Sequence, residues 1–203
     1  MTDAGNEMSR EELLGRVELM QTMIAEGRRT TGRHGWIFVM WGLVYVIAML
    51  WAGFLPAKLW AWPVCVSVAV VIHVVEKSRR RGRPDVLRTR TIESVWRALG
   101  ITITLFVIGA GVSHHGADRA YFAGIFLFVG MAHGASAMIL RWKAQGLTAG
   151  LWWACGIGVF FATRPEQVAW TFIGASLLGM IGFGLYAMAR ERRRGKPLVA
   201  SHA

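Results

Sequence analysis

Catalytic signatures are missing from this 203-residue chain. It holds no P-loop, no G-x-S-x-G elbow and no H-E-x-x-H pair, so nothing in it marks an enzyme. Cysteine is scarce: only Cys65 and Cys155 occur, both inside apolar runs. Without C-x-x-C spacing they make neither a disulfide framework nor a structural zinc site, and they read as small buried hydrophobes. Charge is scarce as well. Charged residues make up 17% of the chain, against about 25% in soluble domains, and long windows hold none at all. No acidic residue falls in the middle of such a window, which argues against a cation-coupled transporter built on a buried carboxylate. A secretory leader is not expected either. Residues 1–35 are polar and carry Asp3, Glu7, Glu11, Glu12, Glu18 and Glu26, so the first apolar run should remain as an anchor.

What the chain has instead is apolar length. Apolar residues make up 54%, and a run of about 17–25 of them at about 1.5 Å each crosses a hydrocarbon core of about 30 Å. The predicted spans are residues 36–55, 59–75, 95–113, 120–140, 147–163 and 168–189. The expected fold is therefore all-α, a polytopic membrane protein with six transmembrane helices over 36–189. A cytoplasmic segment, 1–35, precedes them and a basic tail, 190–203, follows. Within the first segment, residues 9–29 read as an amphipathic helix. Ser9 and Glu12 have capping-box spacing, and Leu13, Val17, Met20 and Ile24 form one stripe. That stripe suits either the membrane surface, the chain's own bundle or a partner helix.

The basic residues set the orientation. Net charge is +11, and Lys77–Arg90 alone carries seven Lys/Arg in fourteen residues. Five Lys/Arg lie in the N-terminal segment, eight in 77–97, two in 141–143 and five in the C-terminal tail, twenty in all. Only Lys58, Arg119 and Arg164 fall on the other side. Such a split across short loops places both termini in the cytoplasm of a multi-pass inner-membrane protein. Arg79, Arg80, Arg81 and Arg83 are then expected to contact anionic lipid or a cytoplasmic protein partner. Topology and lipid account for the basic charge, so nucleic acid is not an expected partner; a second copy of the chain, in a homo-oligomer, is.

A few residues stand out inside the spans. His133 is an ionisable group at membrane depth, and such groups are costly and often functional. It is read either as a functional residue or as a core histidine satisfied by a neighbour. His73 lies at a similar depth, and together the two are the candidate cofactor ligands, the minimum for a bis-histidyl haem. His114, His115 and Asp118 sit in one short turn and read as solvated. Gly130 with Gly134, and Gly179 with Gly182, mark faces for close helix packing. Most of the ten Trp fall near span ends, as an interfacial belt requires. Trp152 and Trp153 are exceptions and read as packing residues.

Three stretches, GWIFVMWGLVYVIAML from Gly35, TRTIESVWRALGI from Thr89 and GASAMILRWKAQGLTAGLWWACGIGVFF from Gly134, resemble a family of small bacterial integral membrane proteins. Its members carry an amphipathic N-terminal helix before an aromatic-Trp-Gly first span. The resemblance covers most of residues 10–189 and implies membrane topology without an activity. Where many members have Pro-Gly late in the final span, this chain has Phe183-Gly184. The expected function is a non-enzymatic membrane component that presents basic segments to lipid or to a cytoplasmic protein. The alternatives are a small transporter or channel with His133 in its pathway, and a haem or quinone protein.

Overall fold

The computed structural model describes residues 14–22, 25, 35–79, 87–113 and 119–194. These residues are helical almost throughout, with no strand among them. Residues 14–22 form α1, exposed along its length. The rest of the predicted 9–29 helix, Arg80, Arg81 and Arg83, the 114–118 turn and residues 195–203 lie outside the described residues.

Seven helical elements follow. They are α2 (Gly35–Phe54), α3 (Ala61–Arg79), α4 (Leu87–Val112), α5 (Arg119–Leu140), α6 (Lys143–Phe160), α7 (Pro165–Ala175) and α8 (Phe183–Arg194). A π-helical segment, Ser176–Gly182, joins α7 to α8 in one continuous rod. Five stretches are long and apolar enough to cross a membrane: Gly35–Phe54, Lys58–Glu76, Thr91–Val112, Arg119–Leu140 and Pro165–Arg193. The helix α6 is not among them, because Lys143, Gln145 and Thr148 fill its first turns and Gly150, Gly156 and Gly158 dilute the rest.

Helix ends depart from the hydropathy boundaries where solvated residues continue the helix. The stretch Lys77–Arg90, read as a loop, is helix at both of its described ends: α3 runs to Arg79 and α4 begins at Leu87. Charged residues are good helix formers, and a helix leaving the bilayer needs no apolar face. The turns are tight. Ala57, at φ 56°, reverses the chain into a 3₁₀ turn, Lys58–Trp60, and the Trp51 indole Nε1 donates to the Pro56 carbonyl at 2.8 Å. At the end of α5, Arg141 adopts φ 49°. The Trp142 amide donates to the Ala137 carbonyl at 3.0 Å and the Arg141 amide to that of Met138 at 3.3 Å. This is the Schellman pattern with arginine where glycine is usual. At the start of α7, Pro165 occupies the first turn and Gln167 Oε1 accepts from the Thr163 and Arg164 amides at 2.7 and 3.1 Å.

Packing is antiparallel between chain neighbours and is set by glycine. A Cβ added to Gly130 would fall on the Trp153 indole, one on Gly134 would lie 2.9 Å from it, and one on Gly146 would meet Ala137. The pairs 130/153, 134/149 and 137/146 advance in step, so α5 and α6 run side by side in register. The Gly130–Gly134 face thus receives a Trp side chain from within the same chain. Gly179 receives Trp152, whose Nε1 would lie 2.5 Å from an added Cβ. Gly182 corrects the expectation placed on it: it is exposed, and an added Cβ would meet only the Leu177 carbonyl of its own rod. The π segment holds an extra residue per turn, which carries Gly182 off the face that α-helical spacing gives Gly179. The first and last spans cross backbone to backbone, where an added Cβ on Gly35 would lie 2.5 Å from the Gly184 carbonyl oxygen, and the reverse holds for Gly184.

The core lies between α5, α6 and the α7–α8 rod, with α2 closing it. Phe126, Trp152 and Phe172 form its aromatic centre, with ring centroids 5.5–6.2 Å apart. Tyr45 of α2 and Trp62 of α3 add to it, each 5.8 Å from Phe172. Trp62 is therefore a packing residue. Among the described residues, α3 packs on α2 and the 3₁₀ turn, and α4 packs along α5.

Candidate functional site

The polar residues of this core collect towards one end of the bundle. His133, Ser136 and Gln145 have no exposed surface. His133 and Ser136 are three residues apart on the same face of α5, and Gln145 lies in the first turn of α6 on the face that also buries Thr148, Trp152 and Val159. The helices put them there because the spacing of Phe126, Val129, His133, Ser136 and Leu140 follows one helical stripe, all of it buried.

Three rings enclose the imidazole. Trp96 of α4 stands edge-on at 5.0 Å between centroids, Phe183 of α8 edge-on at 5.5 Å, and Phe38 of α2 tilted at 5.6 Å. The cage thus needs four different helices. Phe183 also packs on Trp142 at 5.4 Å, and the Arg190 guanidinium lies 5.8 Å from the Trp142 ring centroid. Arg190 is one of several cations at this end.

Hydrogen bonding is incomplete throughout. Neither His133 nitrogen, neither end of the Gln145 amide, and not the Ser136 hydroxyl has a partner. The Trp96 and Trp142 indole N–H groups are buried and unpartnered as well, as is Ser176 in the π segment. Thr148 by contrast bonds the Ala144 carbonyl at 3.1 Å. A buried polar atom left without a partner costs about 1–3 kcal/mol, so this concentration is the chief anomaly of the core.

The reading of His133 and His73 as joint cofactor ligands needs correction. His73 is on α3, which packs against α2 and the 3₁₀ turn, while the space around His133 is held by Phe38, Trp96 and Phe183. A haem or quinone ring needs an open face beside its ligand, and those side chains occupy it. Among the described residues, no group of three His, Cys, Asp or Glu side chains is placed to hold a metal ion. Of the lipid-contact residues read from the sequence, Arg79 is exposed at the end of α3.

Charge is segregated along the bundle axis. The antiparallel order brings the starts of α2 and α4, the ends of α3 and α8, and the α5–α6 turn to one end. Arg79, Arg97, Arg141, Lys143, Arg190, Arg192 and Arg193 lie there, and Lys58, Arg119 and Arg164 at the other. Gln145 was missed in the sequence because it precedes the apolar run of α6. The spacing Gln145, Thr148, Trp152, Gly156, Val159 was the available signal. No protein-family model, no curated protein and no solved structure matches the chain.

Proposed function

We propose that this chain is a non-enzymatic protein of the cytoplasmic (inner) membrane that crosses it six times, keeps both termini in the cytoplasm, and holds anionic lipid head groups at its basic end. The carrying observation is that, among the described side chains of α2 to α8, seven cations gather at one end of an antiparallel bundle against three at the other. Cations concentrate on the cytoplasmic side of membrane proteins. Each one near an anionic leaflet contributes about 1 kcal/mol of attraction.

The sixth crossing is assigned to α6. Its 18 residues span about 27 Å at 1.5 Å each. It lies in register along α5, joined to it through Arg141–Trp142, so a membrane-crossing α5 carries α6 across with it. Its lower apolar content suits a span that buries Gln145, Thr148 and Trp152 against protein.

Arg141 and Arg164 flank α6, so single cysteines at the two positions test the arrangement. In intact cells an impermeant maleimide should label Arg164→Cys, and it should reach Arg141→Cys only after permeabilisation. Labelling of both from one side would overturn the sixth crossing. Native mass spectrometry of the purified protein should then show anionic phosphatidylglycerol or cardiolipin retained over phosphatidylcholine, and less of it after Arg192→Glu with Arg193→Glu. Equal retention of neutral and anionic lipid would remove the head-group reading.

A further inference from the structure

We infer that the core between α5, α6 and α8 is wet at the basic end, and that His133, Ser136 and Gln145 form an internal site for bound water. The site does not depend on the lipid reading, because it rests on the inside of the bundle.

Five atoms carry it: His133 Nδ1 and Nε2, Ser136 Oγ, and Gln145 Oε1 and Nε2. All are buried and without a partner, on residues with no exposed surface. They fall close together along the bundle axis. Ser136 lies about 4.5 Å along α5 from His133, at about 1.5 Å per residue. The α5–α6 register sets Gln145 beside residue 138, about 3 Å beyond Ser136 on the same measure. Trp96 Nε1, on the ring that stands edge-on to the imidazole, is a further unpartnered donor.

The chemistry selects water over other occupants. Buried water makes about three hydrogen bonds to groups otherwise unsatisfied. The trio offers both donors and acceptors: a neutral imidazole supplies one of each, the amide supplies both, and the hydroxyl serves as either. No carboxylate or cationic side chain belongs to it, so nothing there recognises an ion. The three rings stand against the imidazole at 5.0–5.6 Å between centroids and so exclude any occupant of ring size. A direct Gln145–Ser136 bond would satisfy two atoms and still strand the imidazole among rings.

The same core supplies its own control. Phe183 packs on His133 of the trio, while Phe126 and Phe172 pack on one another at 5.5 Å in the aromatic centre, where Trp152 Nε1 is a lone unpartnered donor rather than one of a cluster. All three are buried, at 4%, 0% and 2% exposure. Bound water split by a synchrotron X-ray pulse releases hydroxyl radicals that oxidise the nearest side chain, so the three identical rings report hydration directly. In the full-length protein in lipid nanodiscs, Phe183 should be oxidised several-fold faster than Phe126 and Phe172. Gln145→Leu should bring it down to their level, and Ser136→Ala should lower it if the leucine variant does not fold. Equal protection of all three rings in the unaltered protein would overturn the proposal. Thermal unfolding provides a second, independent measurement. In a wet network Gln145→Leu strands the remaining members and lowers Tm; in a dry core it removes a stranded amide and raises Tm, which would also overturn the proposal.

Discussion

The helices α5 and α4 are neighbours, both apolar and both 22 residues long in their membrane-length stretches, yet they live in different surroundings. Half of the window in α5 is buried inside the protein, against 6% in α4. The rod of α7 and α8 resembles α5, at 50%, and α3 resembles α4, at 11%. Composition follows environment. Along α5 and the rod, Gly130, Gly134, Gly179, Gly184, Ser136, Ser176 and His133 face protein. Along α3 and α4, exposed Val68, Val71, Ile101, Leu105 and Ile108 face outward. Lipid tails are as apolar as leucine, so apolar character alone does not draw one helix to another there, and close packing does. Polarity and smallness therefore mark the inward side of these helices.

The steepest test of that contrast removes a large apolar side chain from each region. Trp152→Ala should cost about 3–5 kcal/mol, as large core truncations do, whereas Leu105→Ala, 65% exposed, should change stability by no more than about 0.5 kcal/mol. Reversible unfolding in mixed micelles measures both, and similar losses would erase the distinction. Next comes added bulk. Gly184→Leu forces a side chain into the Gly35 carbonyl and Val39, and should cost about 1–3 kcal/mol or more. Gly109→Leu on α4, where an added Cβ meets nothing within 4 Å, should be neutral or slightly stabilising. The same unfolding measurement compares the two. The smallest effect concerns the junction into the rod. Gln167→Ala leaves the Thr163 and Arg164 amides without their acceptor and should lower stability by about 1 kcal/mol, seen as a shifted unfolding midpoint with unchanged helical content.

The existence of α2 to α5 and of the final rod was legible because uninterrupted apolar runs leave little else to be. The packing roles of Trp152 and Trp153 were legible too, from their distance to the span ends. What was hidden depended on a third helix. Gln145 looks like a loop residue until α5 and the rod are placed over it. Gly182 looks like a partner of Gly179 until the π segment turns it outward, and nothing in SLLGMIG announces a π-helix. His73 and His133 share a depth along their helices, and depth says nothing about which helices meet. The helical ends at Arg79 and Leu87 escaped a hydropathy reading because helix persists after apolar character stops.

The contact between Gly35 and Gly184 has a consequence for synthesis. The first membrane-length helix and the last close on each other, with the other membrane-length helices between them in the chain. During translation, therefore, α2 waits in the bilayer with its glycine face bare until α8 has left the ribosome. Early-made helices can pair as hairpins, but the bundle has no finished state before the start of α8 arrives. A chain cut short before Gly184 would carry an open seam along α2.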